Sequence, residues 1–221
     1  MTRGILIAGN ESALSTAVCT EAAKRGFSYA VAFIPNRLSG QDAGISVPLS
    51  GNQLKWNPGS PISARTLVLA AENRLEKMNY AILVCAPPSV RKQPDELAST
   101  DIEIMVNDYI KGWFFLVKEI ATLFKERKTG VLSLVLGDNA AGNGKNGSID
   151  LLYPSAVASF RAFAQGLLTS PLCESFQIMS FYSDLNDDTA FSNFIFKIIE
   201  DNNKKNNSKW HKYSKLGIFG R

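Results

Sequence analysis

Apolar positions fall along this chain in two rhythms. Residues 4–9 (GILIAG), 28–34 (SYAVAFI), 80–86 (YAILVCA), 130–137 (GVLSLVLG) and 176–183 (FQIMSFYS) are apolar almost throughout. Runs of that length without alternation predict strands buried on both faces. NQLKW, residues 52–56, predicts a further short strand, third in chain order. Between the runs the apolar residues space out. Leu14, Ala17, Val18 and Ala22 mark one helical face in residues 12–26, and Gly26 stops it. Residues 63–78 predict an amphipathic helix that Ser60 or Ser63 caps. Residues 101–127 (DIEIMVNDYIKGWFFLVKEIATLFKER) carry the longest helical pattern. Residues 151–168 (LLYPSAVASFRAFAQGLL) predict another helix, with Pro154 at its first helical position. Residues 187–202 predict one more, with acids in its first turn, where the helix dipole favours them.

Strands and helices therefore alternate from one end to the other. The expected fold is α/β, a three-layer, doubly wound parallel sheet of the Rossmann-like kind. No internal repeat and no linker divides the chain, so residues 1–221 are expected to form one domain. Residues 36–51 and 138–150 read as loops rich in Gly, Ser, Pro or Asn.

Composition narrows the functional classes. Apolar residues make up 45% of the chain, enough for a sizeable core, yet no apolar run reaches the length of a membrane span. The start MTRGILIAG reads as a first buried strand rather than a secretion signal. The three cysteines, Cys19, Cys85 and Cys173, lie far apart in apolar surroundings. They read as buried thiols, with no disulfide framework and no metal site, which points to a reducing compartment such as the cytoplasm. Net charge is only +4, but after Asp201 no acid occurs and six cations follow. Residues from about 202 to 221 read as a solvated basic tail, and the lone His211 within it as a surface residue. The tail has no aromatic–basic motif of a known nucleic-acid reader, so nucleic-acid binding is not the expectation.

In a doubly wound sheet, ligands sit beyond the carboxyl ends of the strands, where the strand order reverses. The first strand–helix turn is the place to look, and it reads Ala8-Gly9-Asn10-Glu11-Ser12-Ala13-Leu14-Ser15. With ILIAGNESALSTAVCTEAAKRG, the strand end YAILVCAPP, the segment YIKGWFFLVKEIATLFKERKTGVLSLVLG and the tyrosine helix, the chain resembles the short-chain dehydrogenase/reductase family over roughly residues 3 to 185. The resemblance implies an NAD(P)-binding fold with a tyrosine general acid.

The motifs that carry the family's chemistry are worn. Of the glycine motif Thr-Gly-x-x-x-Gly-x-Gly only Gly9 remains, with Ala13 and Ser15 at the later glycine positions and Glu11 adding negative charge. Val84-Cys85-Ala86-Pro87 stands where the family has Asn-Asn-Ala-Gly. The resemblance puts Asn57 near the acid that contacts adenine, and Arg37 near the cation that selects the 2′-phosphate of NADP. Tyr153 matches the catalytic tyrosine, but Val157 replaces the lysine four residues on, Gly137 lies at the serine and Tyr109 at the asparagine. Without a lysine the phenol titrates near pH ~10, far from a working proton donor at neutral pH. Lys145, in the loop before Tyr153, is the nearest sequence stand-in, whereas Arg161 lies two turns on.

Two expectations compete. One is a binding or assembly protein without hydride transfer, binding NADP or NAD weakly or not at all. The other is an NAD(P)-dependent oxidoreductase using Tyr153. In both, the resemblance implies a homodimer through the long helix and the tyrosine helix. Trp113, Val117, Ile120 and Phe124 form one apolar stripe, and Phe114 and Phe115 spread apolar character around the helix. The competing use for that extra face is packing beneath the C-terminal helix of the same chain.

Overall fold

A computed structural model describes residues 3–38, 52–137, 150–201 and 204–214. Six strands run parallel: β1 (Gly4–Asn10), β2 (Ser28–Ile34), β3 (Met78–Cys85), β4 (Val131–Leu136), β5 (Gln177–Ser183) and β6 (Lys209–Tyr213). Their order is β2-β1-β3-β4-β5-β6. The chain thus winds outward from β1 in both directions, and the reversal lies between β1 and β3. The doubly wound parallel sheet that the apolar runs predict is the fold.

Alternate residues of each strand feed two cores. Leu6, Ala8, Leu83, Cys85, Leu132, Leu134 and Ile178 face α2 (Pro61–Arg74), α4 (Gly112–Arg127) and α5 (Leu152–Leu168). Ile5, Ile7, Ile82, Val84, Val135, Met179 and Phe181 face α1 (Ala13–Lys24) and α6 (Asp188–Glu200). Burial on both faces is why these strands read as continuous apolar runs. The C-terminal helix α6 packs beside α1, on the face opposite α4 and α5. It does not cover the outer apolar side of the long helix.

Three sequence expectations change. NQLKW makes only a single bridge, Val31 to Gln53, alongside β2, and is not a strand of the sheet. The sixth strand is instead KWHKY, inside the segment that reads as a solvated tail. Its Lys209 and Lys212 are exposed, but Trp210 and His211 turn inward. His211 is buried, stacked on Phe181 with ring centroids 5.1 Å apart, and its Nε2 lies 2.9 Å from the Asn206 carbonyl. Trp210 packs against one core and Tyr213 against the other, so the strand carries no clean alternation and its lysines hid it. The third change is in the long helical pattern. It is broken by a π-turn, Asn107–Lys111, that joins α3 (Ser99–Val106) to α4. Cys19 and Cys85 are buried as expected, whereas Cys173 is half-buried.

Candidate functional site at the reversal of strand order

The turn from β1 into α1 is closed by its own side chains. Asn10, 1% exposed, ends β1 and reaches across to β3. Its Nδ2 donates to the Ala86 carbonyl at 2.6 Å, and its Oδ1 accepts from the Ala86 N–H at 3.0 Å. The amide thereby continues the β1–β3 ladder by one step, across the mouth of the crevice. Ser12 caps α1 by accepting from the Ser15 N–H at 3.0 Å, and its hydroxyl lies 2.9 Å from that of Ser15. The Ser15 hydroxyl in turn donates to the Asn10 carbonyl at 2.7 Å. Ser15, where a glycine would let the helix approach a pyrophosphate, is fully buried and spends its hydroxyl within the turn.

Gly9 has a structural reason of its own. A Cβ there would run into the Val84 carbonyl on β3, so close pairing of the central strands already requires glycine. Gly137, after β4, is hemmed in similarly: a Cβ would lie 2.9 Å from Ala86 Cβ and 3.0 Å from Leu14 Cδ2. Leu14, from the first turn of α1, fills the space above the end of β4. What remains beside Leu14 and Gly137, lined also by Ser183, Asn186, Asp188 and Phe191, is a space of about 10 Å³. That is at the lower limit for one water.

Arg37 and Asn57, the two expected nucleotide contacts, both have partners within the protein. Arg37 donates to Asp108 in the π-turn, at 2.6 and 2.8 Å. Asp108 is 1% exposed, and burial raises its carboxyl pKa although the guanidinium opposes the shift. Arg37 is thus the counter-ion of a buried acid that looks ordinary along the chain. The Asn57 side chain accepts from the Gly59 N–H at 3.1 Å and its backbone N–H donates to Ser63, shaping the entry to α2. Ser60 is the residue that caps that helix.

Tyr153 lies in the first turn of α5, half-buried, one residue after Leu152, so Pro154 is third in the helix rather than first. Asp150 organises this end. Its Oδ1 accepts from the Tyr153 N–H at 3.0 Å, and its Oδ2 from the Val90 N–H at 2.9 Å and the Ser89 hydroxyl at 2.7 Å. One carboxylate therefore caps α5 and pins it to the loop after β3. Val157, at the lysine position, packs against the larger core. Tyr109, at the asparagine position, is 1% exposed, in a small cluster with Val90, Met105 and Ala156. Its hydroxyl is buried without a hydrogen-bond partner among the described residues, and burial raises its pKa well above the ordinary phenol value. Lys145 lies outside the described residues.

The structure thus gathers Gly9, Asn10, Ala86, Gly137 and Leu14 at the central crevice, and Tyr153, Tyr109, Asp108 and Arg37 along its rim. Asn10 was the most legible of the missed residues, since a polar side chain ending a fully buried strand has to find partners. Among the described residues no group of three or more His, Cys, Asp or Glu is arranged to hold a metal, and no helix is long and apolar enough to cross a membrane.

No protein-family model and no curated protein sequence matches the chain. Solved structures do match it in shape. An NADH-dependent reductase complexed with NAD superposes with a TM-score of 0.74 at 11% identity, covering 99% of this chain and 98% of that one. A short chain dehydrogenase from Bacillus anthracis gives 0.71 at 12% identity, covering 98% of each chain. A 3-ketoacyl-(acyl-carrier-protein) reductase from Brucella melitensis complexed with NADH gives 0.71 at 12% identity, covering 97% of each. From end to end, and on shape rather than sequence, this chain has the fold of the short-chain dehydrogenase/reductases.

Proposed function

We propose that this protein uses the dehydrogenase fold as a scaffold for binding or assembly and does not carry out standard hydride transfer. The observation that carries the reading is the Asn10 amide, bonded to both backbone groups of Ala86 across the crevice between β1 and β3. The amide ties the ends of the two strands together at the place where the fold seats a dinucleotide, and Glu11 would add negative charge beside a pyrophosphate. Val157 packed in the core, Tyr109 buried and Arg37 engaged by Asp108 support the same reading. Calorimetric titration with NADH and NADPH tests it. Weak or no binding of either is the expected outcome, and a sub-micromolar NADH affinity overturns the proposal.

A second reading keeps the oxidoreductase. Tyr153 is half-buried at the start of α5, and two of the matching structures are described as complexed with NAD or NADH. Under this reading a panel of ketones and alcohols gives turnover that Tyr153→Phe abolishes.

The scaffold reading includes a homodimer through α4 and α5. Trp113, Val117, Ile120 and Phe124 are spent on the core, but Phe114 is 51% exposed and its ring lies 4.4 Å from that of Phe163 on α5. An exposed Phe114 resting on a half-buried Phe163 across two helices suits a self-complementary contact. Light scattering at micromolar concentration is expected to give twice the chain mass, and Phe163→Asp to halve it. A monomer mass for the unaltered protein removes the dimer from the proposal.

A further inference from the structure

The central crevice lies beyond the carboxyl ends of the strands. A separate cleft lies at their opposite, N-terminal ends, beneath β3, β4 and β5. It encloses about 530 Å³, within the range of small-molecule sites. Asn79 and Tyr80 line it from β3, Lys128 and Thr129 from the turn into β4, and Cys173 and Glu174 from the turn into β5. It differs from the cleft between β5 and β6, walled by Tyr182 and Trp210, where the indole N–H is spent on Gln165.

The start of β3 turns Asn79 out of the ladder. Gly4 of β1 pairs with Met78 and Ile5 with Tyr80, so Asn79 is the extra residue of a bulge. Bulges re-aim side chains. Gly4 permits this one, because a Cβ there would run into the Lys77 carbonyl just before β3. The Asn79 Oδ1 is buried yet has no hydrogen-bond partner among the described residues. A buried acceptor of that kind calls for a donor. Arg3 and Asn207 also line the cleft but are spent within the protein, Arg3 on Glu200 and Asn207 on the Cys173 carbonyl and the Ile178 N–H. Lys128 and Glu174 are exposed, and neither has an ion-pair partner among the described residues. Lys128 is held at the end of α4 in the left-handed conformation, φ 52°, by its backbone N–H on Lys125.

The cleft thus offers an ammonium, a carboxylate and a buried amide oxygen, with the half-buried Tyr80 and Cys173 as apolar wall. A free α-amino acid carries the complementary set. Its ammonium has donors for both the Asn79 oxygen and Glu174, and its carboxylate accepts from Lys128 and the Thr129 hydroxyl. We propose that this cleft binds an α-amino acid with an apolar side chain, as the zwitterion. The site is independent of the central crevice and of whether a dinucleotide binds there.

Calorimetry on the full chain with L-leucine tests it. One leucine is expected to bind per chain. Leucinamide, lacking the carboxylate, and N-acetylleucine, lacking the ammonium, are each expected to bind roughly tenfold more weakly. Lys128→Gln should weaken leucine by a similar factor and leave leucinamide unchanged. Asn79→Ala should weaken leucine without lowering the thermal midpoint, since it removes an unpaired buried acceptor rather than a bond. No binding of leucine, equal binding of leucine and either derivative, or binding that survives both substitutions each overturns the proposal; the last would mean leucine sits elsewhere. A midpoint lowered by Asn79→Ala also overturns it, because the amide would then already have a partner.

Discussion

The crevice between β1 and β3 and the cleft between β5 and β6 sit in one sheet and are built in opposite ways. At the crevice, polar groups satisfy one another: Asn10 bonds Ala86, Ser15 bonds Asn10 and Ser12, and Leu14 fills what is left. At the cleft, the rings of Tyr182 and Trp210 and the side chain of Arg161 stay partly or largely exposed, with the Trp210 indole bonded to Gln165. The fold places its ligands at the reversal of strand order, because strand ends and helix N-termini converge there. That convergence needs small residues and vacant hydrogen-bond donors. Here Ser15 spends its hydroxyl within the turn and Leu14 packs towards Gly137, and position within a fold does not by itself fix a use.

The largest expected effect comes from opening the closed side. Asn10→Ala leaves the Ala86 N–H and carbonyl without their partners, in a setting that is 4% exposed. Two buried groups left unpaired cost roughly 2–4 kcal/mol. Urea denaturation should show that loss, while Lys212→Ala at the open edge should change stability far less, its ion pair being exposed. If Asn10→Ala is neutral, the amide does not hold the crevice shut.

A smaller effect separates the partners of the rim ion pair. Asp108 is buried and Arg37 half-exposed, so the two are not equivalent. Arg37→Ala strands a buried carboxylate and should cost about 1 kcal/mol at neutral pH, a figure reduced for the solvent screening of the arginine. Asp108→Asn removes the charge that burial penalises and should cost less than Arg37→Ala. The pH dependence has a definite sign. Because the folded pKa of Asp108 is raised, its contribution to stability is present below the ordinary carboxyl value of about 3.9 and is lost as pH rises through the raised value. Asp108→Asn should therefore flatten the stability profile between the ordinary carboxyl value and the raised one. An unchanged profile would mean that Asp108 titrates alike in folded and unfolded chains.

The same contrast explains what could be read from the sequence. β1, β2, β3, β4 and β5 were legible because strands buried on both faces need no alternation. The wear at the glycine motif was legible too, since it asks only which residues are present. The closure was not, because it depends on Asn10 meeting Ala86, residues 76 apart in the chain. Arg37 with Asp108 and Asp150 with Val90 are likewise long-range pairs whose members look ordinary alone. KWHKY was missed for a different reason. Its exposed Lys209 and Lys212 lie in a lysine-rich, asparagine-rich stretch that resembles solvated tail. The signal that could have found it is the pair Trp210 and Tyr213, aromatic residues with high strand preference amid polar ones.

The smallest effect, and the most local, concerns His211 at the open edge. Burial lowers its pKa, the nearby charge of Lys209 lowers it further, and the hydrogen bond to the Asn206 carbonyl opposes both. That bond needs a proton on Nε2, which the charged ring and one neutral tautomer both carry; it is burial that makes the neutral ring on Phe181 the preferred form. The folded pKa then lies below the unfolded one. Stability from the neutral ring is present above the ordinary imidazole value of about 6.5 and is lost as pH falls through the lowered value. The loss should appear first in β6, an edge strand paired only with β5, and leave the central strands intact. Trp210 is its neighbour and reports on it. Trp113 is 1% exposed and Trp56 is 9% exposed, both in the core between α2 and α4, so an acid-induced change in tryptophan exposure should come from Trp210. Acrylamide quenching of the intrinsic fluorescence should increase as pH falls well below the ordinary imidazole value and revert on neutralisation. His211→Phe keeps the stacked ring and removes the titration, so quenching in that variant should stay flat over the same range. If the increase persists in His211→Phe, the acid-sensitive group lies elsewhere, and β6 is not held by the neutral imidazole.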